Sequence, residues 1–320
     1  MALTAVKQND QLHPDNLLGY LEFHSVADFK IRKDDLATLW SKHNLPHEFL
    51  PGEIRPCDAF RRASTTAQGE VKVAWSGEQY NARLLVREVK SDACEIVRLL
   101  VREIVDSKNE VLDYATAGKI TFLRNQGTVK TECTWGMLSE YGYDGVLRKM
   151  ADTFDEYVNF HNRDTVRNLI TRVIRSTNPV SIVSHSSGKF VPKKNKAMLD
   201  NVKGLLLDLR KYSSEQDCGM EIIPIVDAKE QRDLVARRAS IELTAELDEV
   251  MSDFADHLKK NEGLEMDAAQ RLIGKAVDIQ ERALEYEKLV SVRLGVLRQQ
   301  LERFMCQITV NASYSKAAAV

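Results

Sequence analysis

A chain of 320 residues with 43% hydrophobic side chains can bury a sizeable core, divided among about two or three domains. Charged residues make up 29% of it, yet the net charge is only −2, so the overall balance selects no partner and any electrostatic signal must be local. No run approaches the roughly 18 apolar residues of a membrane span, and the opening Met-Ala-Leu-Thr-Ala-Val-Lys-Gln-Asn-Asp has no apolar signal-peptide core. The cysteines (Cys57, Cys94, Cys133, Cys218, Cys306) are scattered without a CxxC pair, the pattern of reduced thiols in a cytoplasm.

Residues 1–15 are polar and read as a leader. Leu17 to His24 predicts a strand, and Lys33 to His43 a helix with Leu36, Leu39 and Trp40 on one face. Pro46, Pro51 and Pro56 punctuate the loop that follows, and Pro56 is placed to start a short helix over Cys57 to Ala63. From Val71 to Arg124 the apolar period drops to two. Strands are expected at Arg83 to Val89, Cys94 to Val105 and Val111 to Leu123, the last interrupted by Gly118, with Asp106-Ser107-Lys108-Asn109 as a hairpin turn. Short polar connections make this an antiparallel meander.

Helical periodicity returns at Gly145 to Phe160, with Leu147, Met150, Phe154 and Tyr157 on one stripe. A further helix, capped by Asp164, turns Val166, Leu169, Ile170, Val173 and Ile174 inward and ends at Asn178-Pro179. Short strands at Val180 to Val183 and Lys189 to Val191, a helix over Lys196 to Lys211 and a strand over Met220 to Val226 form a small ββαβ module. Two long helices close the chain, Asp227 to Lys260 and Glu265 to Ile308, with Asn261-Glu262-Gly263 as the turn between them. Asp227 and Glu230 resemble a capping box. At ~1.5 Å per residue the helices would reach ~50 and ~65 Å, so part of the hairpin is expected to project. The successive four-residue steps Tyr286, Val290, Leu294 are a stutter that favours a nearly straight pair. Thr309 to Val320 reads as a fraying tail.

Motif chemistry is sparse. Ser186-Ser187-Gly188-Lys189 invites comparison with a phosphate loop, but Val183 stands where its first glycine belongs and Phe190 where its Ser or Thr belongs, so a hairpin turn explains it better. His43 and His47 have the spacing of two zinc ligands on a helix, but Pro46 breaks that helix and Asn44 replaces the catalytic glutamate. His161-Asn162-Arg163-Asp164 sits at a helix junction, where capping accounts for Asn162 and Asp164. No cofactor or metal site is expected. Catalysis is left open only for a site assembled from residues distant in sequence.

Local charge is the exception. Between Arg163 and Lys211, eleven cations face three carboxylates, a net +8 that leaves −10 on the remainder. Lys189, Lys193, Lys194 and Lys196 cluster around one hairpin and helix start, and with Arg167, Arg172, Arg175 and Lys203 they form a candidate phosphate-binding surface. A solvated face, or docking of these cations against the acidic remainder, explains the same residues.

The stretch Leu50-Pro51-Gly52-Glu53-Ile54-Arg55-Pro56-Cys57-Asp58-Ala59-Phe60-Arg61-Arg62-Ala63, followed later by Gly188-Lys189-Phe190-Val191-Pro192, resembles a family of uncharacterised proteins of bacteriophages and mobile elements. The resemblance extends over most of the chain. It implies a phage setting in a host-cell cytoplasm and assigns no catalytic residues.

The sequence therefore predicts an α+β protein. Residues 1–142 carry an N-terminal antiparallel sheet with helices, 143–226 helices and the small ββαβ module, 227–308 a long C-terminal antiparallel helical hairpin, and 309–320 a tail. The expected function is non-enzymatic binding of DNA or RNA by the basic module. The alternative is a structural or protein-interaction role in which the hairpin forms a homodimer or holds a protein partner.

Overall fold

The structure is a computed structural model that describes residues 7–8, 11–12, 14–75, 77–133, 146–183, 187–214, 217–260 and 266–317. Apart from a two-residue ladder near the N-terminus, the strands are β1 (Leu17–Ser25), β2 (Lys30–Arg32), β3 (Gly69–Trp75), β4 (Glu78–Ser91), β5 (Glu95–Val105), β6 (Val111–Leu123), β7 (Thr128–Cys133), β8 (Phe160–Asn162), β9 (Val180–Ser181), β10 (Lys189–Pro192) and β11 (Gly219–Val226). The α-helices are α1 (Lys33–Lys42), α2 (Pro56–Thr65), α3 (Val146–Asn159), α4 (Arg163–Arg175), α5 (Lys196–Leu209), α6 (Lys229–Lys260), α7 (Met266–Val290) and α8 (Gly295–Ala317). The mixed α+β class is as expected. The chain divides into two compact units, Met1–Phe29 with Leu39–Phe49 and Val166–Val320, and Lys30–Thr38 with Leu50–Thr165. Both are built from separated stretches, whereas the sequence suggests consecutive domains ending at 142 and 226.

The first unit shows why the boundaries differ. Strands β9, β10 and β11 and helix α5 form where the ββαβ module was expected, but β1 lies between β10 and β11, in the antiparallel order β9-β10-β1-β11. The N-terminal strand supplies the backbone partners that both neighbours need, so the module is not closed without it. Gly19 makes this possible: a Cβ there would stand 2.2 Å from the Val191 carbonyl oxygen and 2.7 Å from the Phe190 ring. The Ser186-Ser187-Gly188 turn lies partly outside the described residues; Lys189 begins a strand rather than a helix.

The expected two-helix hairpin is a three-helix arrangement. Helices α6 and α7 run antiparallel, with Lys275 Nζ 2.9 Å from Asp253 Oδ2 and Arg282 Nη1 2.5 Å from Glu246 Oε2. The second helix does not continue to Ile308. It stops at Val290, Ser291 takes a left-handed φ of 55°, and the Leu294 N–H donates to Glu287 Oε1 at 2.7 Å. The chain then folds back, because Phe304 of α8 meets Phe254 of α6 edge-on at 5.6 Å. Leu297, Leu301, Phe304 and Ile308 share one core with Leu243, Leu247, Ala276 and Tyr286. The stutter thus marks a helix break rather than a straight helix, and α8 continues through the segment expected to fray, as far as Ala317. The expected turn at Asn261–Gly263 lies outside the described residues. Asp227 does not form a capping box; it precedes the helix and pairs with Arg232.

The second unit carries the expected meander, in the order β3-β4-β5-β6-β7, with β3 and β7 flanking the strands read from the sequence. Asn109 (φ 64°) completes the β5–β6 turn. The ladder does not stop at Gly118 but shifts register there, leaving Ala117 as a bulge. Helices α2 and α3 cover one face, where Phe60, Ala63 and Met150 are buried with Leu84, Ile96, Leu100 and Ile120. Phe60 stacks on Phe122 at 5.4 Å, and Phe154 leans on Phe122 at 5.8 Å.

Candidate functional site

A cleft of about 310 Å³ opens at the edge of the second unit. The loop Pro51–Arg55 and the first turns of α2 form one wall. The end of α3 and the short strand β8 form the other, held by the pairing of His161 with Ile31 of β2. Local sequence chemistry fixes both walls. Pro51 and Pro56 stiffen the loop, Arg55 is extended (φ −72°, ψ 119°) as a residue before proline must be, and Pro56 starts α2. Asn162 Oδ1 accepts from the Thr165 N–H at 3.0 Å and so caps α4, the role expected of Asp164.

Most charges in the cleft are matched. Lys30 Nζ lies 2.5 Å from Glu156 Oε2, and Arg55 Nε donates to Asp58 Oδ2 at 2.6 Å. Two groups are not. The Arg62 guanidinium lies 4.5 Å from the Tyr157 ring centroid and makes no ion pair among the described residues. His161 is only 7% exposed, and its ring makes no hydrogen bond among the described residues. Burial, aided by the positive charge of Lys33, pushes its pKa below the ordinary 6.5, so the imidazole is neutral at physiological pH. A neutral imidazole offers one donor and one acceptor to a group that enters the cleft.

The cations singled out in the sequence lie in the first unit, and some of them are engaged there. Lys194 Nζ lies 2.8 Å from Glu285 Oε1, Lys196 pairs with Asp200 and lies over the Tyr20 ring, and Lys203 Nζ is 3.9 Å from Glu221 Oε2. Lys193 reaches the Asp15 carbonyl at 3.5 Å. Arg175 and Lys189 line a groove of about 820 Å³ shared with Glu242, Glu246, Glu249, Asp253 and Asp278, a setting that repels phosphate. Arg167 and Arg172 are exposed on α4, with Arg172 5.5 Å from the Phe49 ring. Docking against the acidic remainder, one of the two plain explanations of the charge excess, accounts for two of the eight, Lys194 and Lys203. His43 Nε2 lies 2.8 Å from Asp208 Oδ2 and His47 Nε2 3.5 Å from Ser41 Oγ. Among the described residues no group of three His, Cys, Asp or Glu side chains stands close enough to share a metal ion, and no helix is long and apolar enough to cross a membrane.

Sequence reasoning assigns His161 no role beyond a helix junction, puts Tyr157 on an apolar helix stripe and Arg62 with Arg61 as an extension of the basic surface, and does not bring the three together. The available signal was the proline-bounded stretch Leu50 to Ala63, which forms one wall of the cleft. The sequence profile of a family of unknown function, DUF6744, matches residues 17–317. No curated protein and no solved structure matches the chain.

Proposed function

The chain belongs to this family of unknown function, and from that premise we propose that it is a binding protein whose ligand site is the cleft of the second unit. The observation that carries this reading is His161, a buried imidazole on the cleft wall without a hydrogen-bond partner among the described residues. A volume of about 310 Å³ suits a small molecule, at the lower end of the ~300–1,000 Å³ typical of such sites. The wall chemistry also suits one: an apolar lining from Pro51, Ile54, Tyr157 and Phe160 with a few convergent polar groups. Gly52 supplies the test, because it lies on the cleft rim and a Cβ built on it meets nothing within 4 Å, so a bulky ring can be introduced there to compete with a ligand for the mouth. A ligand-observed NMR screen of neutral, cationic and anionic small molecules against the full chain is expected to give hits that Gly52→Trp abolishes. If every hit binds Gly52→Trp as well as the native chain, the reading is wrong.

A second reading, binding of DNA or RNA, rests on Arg167 and Arg172, exposed on α4 with no ion pair among the described residues. Binding would weaken steeply with salt, and changing both to Ala would lower the slope by about 0.9 for each phosphate that is no longer neutralised. Unchanged retention of both polymers after that change would exclude it.

A further inference from the structure

We infer that the ligand of this cleft is a small molecule with a flat apolar body and one anionic group, and that Arg62 receives the anion. The inference rests on the cleft reading above and adds the class of ligand. The charge inventory leads to it: Lys30 and Arg55 are neutralised by Glu156 and Asp58, which leaves Arg62 as the cation of the cleft with no ion pair among the described residues. Its position over Tyr157 restrains the guanidinium while its N–H donors lie around the edge of the planar group, suited to a carboxylate or a phosphate in bidentate fashion. The ring contact satisfies the face of the guanidinium and not those donors. Tyr157, Phe160, Ile54 and Pro51 supply the apolar surface for the body of the ligand. His161 supplies a neutral hydrogen-bonding group that neither attracts nor repels a charge. Glu53, on the same rim, is exposed as Arg62 is, and solvent and salt screen both, so recognition of the anion depends on short bidentate hydrogen bonds from Arg62 rather than on long-range charge.

The class is tested on the full chain with three probes that share one ring: phenyl phosphate, benzoate and the neutral benzyl alcohol, titrated by NMR. Both anions are expected to bind at least about ten-fold more tightly than benzyl alcohol, and the stronger of the two identifies phosphate or carboxylate as the recognised group. Arg62→Gln should bring the anions down to the level of the alcohol and leave the alcohol unchanged, while Gly52→Trp should remove all three. Arg62 is exposed, so its substitution is expected to leave the melting temperature unmoved, which separates lost recognition from lost folding. Equal binding of the alcohol and the anions, insensitivity of the anions to Arg62→Gln, or binding of none of the probes would each overturn the inference. The cleft reading itself would still stand if the broad screen yields ligands that Gly52→Trp excludes.

Discussion

The break between α7 and α8 depends on one side chain, and Glu287→Ala measures its worth. Glu287 is 11% exposed at its side chain; Oε1 accepts the Leu294 N–H at 2.7 Å and Oε2 lies 3.5 Å from Arg298 Nη1. Leu294 is itself buried, so removing the acceptor leaves a backbone donor without its charged partner. A hydrogen bond to a charged group contributes about 1.5–3 kcal/mol, and the more exposed Arg298 pair adds less than about 1 kcal/mol. A loss near 2 kcal/mol follows, which for a unit of roughly 200 residues lowers the melting temperature by about 4–8 °C. Glu287→Gln keeps an acceptor and should lose less than half of that. Ser291→Gly should move the other way, raising stability by about 0.5–1 kcal/mol, because Ser291 stands at φ 55°, where glycine is unstrained. Calorimetry or circular dichroism melts of the full chain read all three. An unchanged melt for Glu287→Ala, or a lower one for Ser291→Gly, would refute a helix break held by this cap.

Two further perturbations probe the first unit. Gly19→Ala should prevent stable folding, because the new methyl meets a backbone oxygen at 2.2 Å in the centre of a sheet and cannot be relieved by a rotamer change; loss of soluble, cooperatively melting protein checks it. Lys42 and His43, in that order, hold the Asp208 carboxyl down at about 2. A depressed carboxylate pKa gives stability that is present above the ordinary 3.8 and disappears as pH falls towards about 2. The stability gap between the native chain and Asp208→Asn should therefore close as the pH falls across that window; a gap that does not change there would show that the pair does not couple to folding.

The regular elements were legible because their signals are local. The stripe of Leu36, Leu39 and Trp40 and the turn at Asp106–Asn109 carry their structure in adjacent residues, and the fold uses both as read. The helix break was legible only in part. The steps at Tyr286, Val290 and Leu294 showed an irregularity, but whether a stutter bends or ends a helix depends on Glu287 reaching Leu294 and on the core that receives Phe304. The insertion of β1 between β10 and β11 joins residues more than 160 positions apart, and no spacing along the chain encodes it. The cleft is illegible for the same reason. Arg62, Tyr157 and His161 come together because α2 packs beside α3 and β8 pairs with β2, and each alone reads as an ordinary surface or junction residue. The charge signal is diluted rather than absent: the basic excess of residues 163–211 is real, and Glu285 and Glu221, from outside that stretch, pair with Lys194 and Lys203 within the first unit.

The most direct measurement of the ligand site is the ring-nitrogen NMR spectrum of His161, assigned with His161→Gln, during titration of a molecule that the native chain binds and Gly52→Trp does not. In the free protein the ring should stay neutral down to a pH below the ordinary 6.5, since burial opposes its protonation. On saturation its nitrogen shifts should move as a ligand group hydrogen-bonds to the ring, while the spectrum of Gly52→Trp stays unchanged. Ring signals that remain at their free positions through saturation would contradict a ligand site built on His161.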